Sequence, residues 1–454
     1  MRCTRRDFCR VAFSVSSLGL AARLSRFGLL SAYAQTETAS DYKALVCIFL
    51  FGGNDSNNMI VPIDSVGYSQ YSRIRQNLAL SESNLMSVQT RSQGSFGFHS
   101  QLKDLEPVFS SGNLAIVANV GSLVAPLTRA DFLASRVPVP RNLFSHSDQQ
   151  TQWQTAVTNG YATSGWGGRV ADQINLMKKS APSTLPTFMS VSGNSIMGTG
   201  EQTRAGSVIP NRPLGLKGFD NSTASQARMG ALQELLTLDS GATLIQEASR
   251  TMKNGLDDSS QLAKALAGAG PLPFSFPATS IGGQLQQVAR LIQISSQLGM
   301  SRQIFFCSIG GFDTHTNQLA DQNQLFGQLA PALAVFHQTL QALPEGAKVV
   351  TFTESDFGRT LQPNTNGGTD HAWGSHHFVM GAAVNGGEMY GAFPVLDLGG
   401  QDDAGNEGRW IPTTSIDQYG ATLAAWFGVP SHLLPVVFPN IENFEPRLLP
   451  FLLS

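Results

Sequence analysis

Lys43–Phe51 reads KALVCIFLF and runs directly into Gly52-Gly53-Asn54-Asp55-Ser56-Asn57. A continuous apolar run without alternation predicts a strand covered on both faces, as in a parallel sheet, and the glycine pair ends it. Three later stretches repeat the pattern. Asn113–Val120 (NLAIVANV) stops at Gly121, and Arg302–Ile309 (RQIFFCSI) leads into Gly310-Gly311-Phe312-Asp313-Thr314-His315. Lys348–Thr353 (KVVTFT) leads into Glu354-Ser355-Asp356-Phe357-Gly358-Arg359. Helical periodicity falls over Thr223–Leu238, Gly241–Lys253, Ile281–Leu298 and Gln324–Leu343. Strands alternating with helices predict an α/β fold, a mostly parallel central sheet with helices on both faces. Ligands in such sheets bind beyond the carboxyl ends of the strands, where Asp55, Asp313, His315 and Asp356 fall.

Composition agrees with a folded chain. Of 454 residues 42% are hydrophobic and only 14% charged, with a mean hydropathy of −0.05, which excludes a disordered chain and a coiled coil. The 45 Gly and 22 Pro are scattered without period, so many structured loops are expected.

The N-terminus reads as a targeting signal. Thr4-Arg5-Arg6-Asp7-Phe8 precedes a moderately apolar stretch, Val11 to Leu20, and Ala32-Tyr33-Ala34 closes it as a cleavage site. Residues 1–34 are therefore expected to be a twin-arginine signal peptide, with the export machinery as partner and a periplasmic or secreted location. Removing six Arg and one Asp with that segment takes the formal charge from −2 to −7, which disfavours nucleic acid as a partner. No later apolar run approaches the roughly 20 residues needed to cross a bilayer, so the mature form is not expected to span one. Cys47 and Cys307 remain, both in buried-strand patterns and neither at metal-motif spacing. Residues 35–454 read as a single α/β domain with a helical insertion at about 205–280.

The chemistry-bearing residues sit after the strands. Asp313 and His315, two apart, present a carboxylate and an imidazole to one ion if the chain stays extended, and Glu354 and Asp356 project together by the same geometry. His371, His376 and His377 cluster in a glycine-rich stretch, with adjacent His376 and His377 facing apart so that at most one is a ligand. Phe144-Ser145-His146-Ser147-Asp148 precedes a polar run that can open a helix; Ser145 is a candidate nucleophile there, or simply a helix cap. Arg359 is a candidate oxyanion grip or a structural ion pair. No G-x-G-x-x-G, P-loop, G-x-S-x-G or H-E-x-x-H occurs in the mature chain.

Taken in order, Gly52-Gly53-Asn54-Asp55, Phe144-Ser145-His146, Gly165-Trp166-Gly167-Gly168-Arg169, Gly311-Phe312-Asp313-Thr314-His315, Ser355-Asp356-Phe357-Gly358-Arg359 and Gly367-Gly368-Thr369-Asp370-His371 resemble the motifs of domain-of-unknown-function family 1501, DUF1501. The resemblance runs from about Ala44 to Val429 and implies an alkaline phosphatase/sulfatase-like layered fold with metal ligands at strand ends. It implies that Asp55 is the first-strand metal aspartate, that Asp313 and His315 are later ligands, that Asp356 belongs to an Asp-His pair and that His371 is the last histidine. The sequence departs at Phe357, which stands where the second half of that pair is expected. The implied protein is an exported metal-dependent hydrolase of a phosphate or sulfate ester, holding one or two divalent ions (Zn, Mn, Mg or Ca). Attack would come from Ser145, Ser56 or water, and Arg359 would stabilise the oxyanion. The alternative is a non-catalytic periplasmic metal- or glycan-binding or assembly protein of the same fold.

Overall fold

The computed structural model describes residues 42–453 except 178–184, 213, 217, 221, 239 and 240. The signal expected at residues 1–34 lies outside the described residues.

The strands are β1 (Lys43–Phe51), β2 (Ile60–Pro62), β3 (Leu85–Gln89), β4 (Ser95–His99), β5 (Leu114–Gly121), β6 (Phe188–Ser190), β7 (Gly206–Ser207), β8 (Arg302–Gly310), β9 (Val349–Ser355), β10 (Ser375–Met380), β11 (Glu388–Tyr390) and β12 (Thr414–Ser415). The main sheet has the order β11-β5-β10-β9-β1-β8-β6-β7, with β12 also on β5. β1 lies at its centre, parallel to both β8 and β9. The four apolar runs of the sequence are therefore β1, β5, β8 and β9, each within a few residues of its expected bounds.

The sheet is mixed rather than uniform. β10 runs antiparallel to both β9 and β5, while the other pairings are parallel. It is also where the glycine-rich histidine stretch goes: His376 and His377 are strand residues, both buried. His376 Nδ1 accepts from the Asn119 amide at 3.0 Å, and the His377 ring lies 4.8 Å from that of Trp153. Burial drives both pKa values down to about 3, so both rings are neutral core groups.

Helices cover both faces, as the unalternating β1 pattern requires. Ala44, Val46, Ile48 and Leu50 join one apolar cluster with residues of the helices Ser280–Gln293 and Gln318–Ala342. Leu45, Cys47 and Phe49 join a second with Trp166, Val170, Leu423 and Phe427 of the helices Trp166–Met177 and Ile416–Phe427. Each such fully buried side chain contributes roughly 1.5–3 kcal/mol. The period-2 alternation of a strand thus spends all its side chains on two cores. Cys47 and Cys307 are buried free thiols. A smaller sheet, β2-β4-β3, flanks the main one. In the stretch expected as an insertion lie the helices Thr223–Thr237 and Thr243–Gly268, mostly exposed. No helix among the described residues is long and apolar enough to cross a membrane.

Candidate functional site

Three loops meet beyond the carboxyl ends of β1, β8 and β9. Gly52 and Gly53 make this meeting possible, with φ of +116° and +83°. A Cβ on Gly52 would fall 2.3 Å from the Asp313 amide nitrogen, and one on Gly53 2.5 Å from the Phe357 ring. The turn after β1 therefore admits the Asp313 loop only because it carries no side chains.

Asp313 stands at the centre, with its carboxylate about half exposed. Its Oδ1 is 3.4 Å from His146 Nε2, 3.1 Å from His315 Nε2 and 3.5 Å from His371 Nε2. Each ring is held from behind through Nδ1. His146 Nδ1 is 2.7 Å from Asp356 Oδ2, His315 Nδ1 is 3.0 Å from Asp370 Oδ1, and His371 Nδ1 is 2.7 Å from the Phe144 carbonyl oxygen. Carboxylates and carbonyls only accept, so every Nδ1 donates its proton and, in the neutral ring, every Nε2 turns a lone pair towards Asp313. His315 and His371 even bring their Nε2 atoms to 2.9 Å of one another. Two facing lone pairs at that distance repel unless a positive charge lies between them. His146 Nε2 is fully enclosed and has no hydrogen-bond partner. Such an orphaned buried acceptor is costly in a finished fold. The residues fit a cation: His146, Asp313 and His371 offer ligand atoms all within 4.8 Å of one another, and His315 adds a fourth.

The surroundings set the charges. Burial pushes the Asp313 carboxyl up, but Arg359, with His146 and His315, outweighs it and holds the pKa below the usual carboxylate range. The hydrogen bond to Asp356 raises the His146 pKa. Burial lowers that of His371. Phe357, fully buried, packs its ring 4.8 Å from that of His146 and 4.7 Å from that of His371. It is the apolar wall behind two of the imidazoles.

Of the residues singled out in the sequence, the structure brings together Asp313, His315 and His371. Asp356 lies one step behind them. It accepts from the Gly52 amide at 3.2 Å, from Gln150 Nε2 at 2.7 Å and from His146, so its acceptor capacity goes to orienting a ring rather than to an ion. Asp55 does not join the cluster. Its buried carboxylate pairs with Arg75 and accepts from Gln318 Nε2 and from the Asn57 amide, so Arg75 already neutralises it. Glu354 and Asp356 do not project together either, because Ser355 ends the strand. Glu354 stays in the core, where Cys47 Sγ lies 3.8 Å from it and burial raises its pKa. The Ser145 hydroxyl donates to Asp148 Oδ2 at 2.7 Å and sits 3.2 Å from Ser147 Oγ, and none of its hydrogen bonds reaches the cluster. Arg359 is fully buried, with Nη1 on Asp313 at 2.9 Å, Nη2 on the Thr369 carbonyl at 2.7 Å and Nε on Thr369 Oγ1 at 3.3 Å. Its guanidinium backs the Asp313 carboxylate from inside the fold. The residue the sequence reading passed over is His146. Its signal is the motif Phe144-Ser145-His146, in which the serine carries the more familiar chemistry.

Fold and site together define an α/β protein with a histidine–carboxylate centre at the strand ends of a mixed sheet. The chain belongs to the family described as "Protein of unknown function (DUF1501)", whose family model matches residues 42–405. No curated protein matches it. Among solved structures, the chain is similar to a 2-O GAG sulfatase at 11% identity and a TM-score of 0.32, over 88% of this chain and 75% of that one. It is also similar to a sulfatase from a Pseudoalteromonas species at 10% identity and a TM-score of 0.33, over 90% and 71% of the two chains.

Proposed function

We propose that the protein is an exported, metal-dependent hydrolase of a phosphate or sulfate ester, built on an alkaline phosphatase/sulfatase-like fold, with its metal held by His146, Asp313, His315 and His371. The observation that carries this reading is the convergence of three Nε2 lone pairs on one carboxylate oxygen. Tetrahedral zinc with ligands at about 2.0–2.1 Å has ligand-to-ligand edges of about 3.3 Å. The separations of the three Nε2 atoms from Asp313 Oδ1, 3.4, 3.1 and 3.5 Å, lie near that edge, while His315 and His371 stand closer together at 2.9 Å. Nitrogen-rich ligation favours zinc over magnesium or calcium, which prefer oxygen. One ion per chain is the expected load, since Asp55 and Asp356 have other partners.

A bound cation supplies Lewis acidity at the ester oxygen. The chain's own residues do the rest. Asp356, Asp370 and the Phe144 carbonyl fix the three rings in the ligating tautomer, as outer partners of metal-binding histidines do. Arg359 keeps Asp313 ionised, and Phe357 excludes water behind His146 and His371. With Ser145 bound to Asp148, water is the nucleophile in this reading.

A second reading, a metal-binding protein without turnover, is favoured by the same engagement of Ser145 and Asp55. Metal analysis of protein purified after export, followed by assay on aryl phosphate and aryl sulfate esters, separates the two. One zinc per chain with turnover that disappears in Asp313→Ala supports the hydrolase. One zinc without turnover on any ester transfers the assignment to the second reading, and absence of metal removes both. Export belongs to the proposal as well. Replacing Arg5 and Arg6 by Lys is expected to hold a precursor in the cytoplasm, and undiminished export of that variant would remove the twin-arginine assignment.

A further inference from the structure

A cleft of about 920 Å³ opens at the carboxyl end of β8, within the range of small-molecule sites. Its floor is the end of β8, through Ser308 to Gly311, two residues ahead of Asp313. The helix Gln318–Ala342 forms one wall, presenting Asp321, Gln324 and Gln328, whose i, i+3 and i+7 positions put them on one face. Asn211 and Ser192 close the other side.

The lining selects among ligand chemistries. Among the described residues no lysine or arginine lines the cleft, which leaves an anion without a counter-charge there, and the one ionisable side chain among them, Asp321, is acidic. No aromatic ring of the described residues lines it, so it is poorly suited to a flat apolar ligand. It is rich in neutral groups that both donate and accept. Among the described residues no hydrogen bond engages the exposed or half-buried side-chain amides of Asn211, Gln324 or Gln328, and the enclosed Ser192 Oγ has no partner. A carboxamide offers two N–H donors and a carbonyl acceptor, the complement of neighbouring hydroxyls that each do both. Gly310 leaves room as well: a Cβ there would meet no atom within 4 Å.

We propose that this cleft is a saccharide subsite that holds a neutral, polyhydroxylated sugar unit of the ester substrate. The inference takes the hydrolytic reading of the neighbouring centre as its starting point. The ester-bearing unit lies over Asp313, and the next sugar lies along β8 against Gln324 and Gln328.

The test is calorimetric titration of the full exported chain with a panel of neutral oligosaccharides of two to three hexose units, and with hexuronate oligomers of equal length. Neutral members are expected to bind, and the uronates to bind more weakly because Asp321 repels them. Gln324→Ala with Gln328→Ala is expected to weaken binding about tenfold, the loss of two to three hydrogen bonds. Gly310→Leu is expected to block the cleft sterically, with metal content unchanged in both variants. Lack of binding by any neutral oligosaccharide, or binding that neither variant alters, overturns the proposal. Saccharide binding that both variants weaken, in a protein that turns over no ester, overturns the hydrolytic reading and supports the saccharide site.

Discussion

Asp356→Asn separates an orienting carboxylate from a ligand. Asp356 is fully buried and accepts from three N–H groups, those of Gly52, His146 and Gln150. Asparagine keeps one oxygen, and its amide nitrogen must face at least one of those donors, a buried mismatch that costs about 1–3 kcal/mol of fold stability. The His146 ring also loses the anion that fixes its tautomer. Loss of an outer partner of a ligating histidine lowers metal affinity about 10–100-fold, or about 1.4–2.7 kcal/mol. At zinc concentrations 100-fold above the wild-type dissociation constant, metal stabilises the native state by about 2.7 kcal/mol. In the variant, at the same concentration, that increment falls to between about 0.4 and 1.4 kcal/mol by the same relation. Competition with a zinc chelator gives the affinity, and denaturant unfolding with and without zinc gives the increment. A variant less stable without metal, yet with wild-type zinc affinity, would refute the reasoning: Asp356 would then be a structural group and His146 no ligand.

Three further outcomes follow from contacts already described. Ser145→Ala is expected to keep its metal and to stay within a few-fold of wild-type turnover, because the hydroxyl serves Asp148; a drop of about 10²-fold or more would restore it as the nucleophile. Gly53→Ala forces a Cβ into the Phe357 ring at a φ of +83°, and is expected to cost at least about 1–3 kcal/mol and to loosen the imidazoles packed on that ring, read as a lower melting temperature with weaker zinc binding. Acid should unfold the chain. Burial holds His99, His376 and His377 at about 4, 3 and 3, against 6.5 when unfolded, so their contribution is present above pH 6.5 and is lost as pH falls towards 3. Asp417, raised by burial to about 7 from 3.8, acts in the opposite sense, its contribution lost as pH rises from about 4 through 7. Glu354, whose pKa burial also raises, acts in the same sense as Asp417; three histidines against two carboxyls still leave a net uptake of protons on unfolding near pH 5, so stability falls as pH falls. A flat denaturation midpoint between pH 4.5 and 6.5 would contradict that burial.

What the sequence disclosed was what is local. Four unalternating apolar runs gave the strands and their two-sided burial, and the i, i+2 spacing of Asp313 and His315 gave half the centre. The remainder depends on pairings from twenty to more than two hundred residues apart. Nothing near Asp55 announces that Arg75, twenty positions later, will neutralise it. Only the position of the helix His146–Thr155 under β9 turns Asp356 from a ligand candidate into the support of a ring. His376-His377 read as a metal-rich loop because a short strand between glycines lacks the length of its neighbours. Its antiparallel course, set by β5 and β9 on either side, was invisible in its own six residues.

The central place of β1 also has a meaning for the ribosome. Its two neighbours, β8 and β9, begin at Arg302 and Val349, so the first strand emerges about 250 residues before either partner exists. At roughly 5–20 residues per second that interval is on the order of 10–50 s. Throughout it, a nine-residue segment of Ala, Leu, Val, Cys, Ile and Phe behind a single Lys has unpaired edges on both sides, the composition and geometry from which chains associate with one another. The central sheet therefore cannot close around Lys43–Phe51 until the chain has been made at least as far as Ser355, the end of the second of its two neighbours.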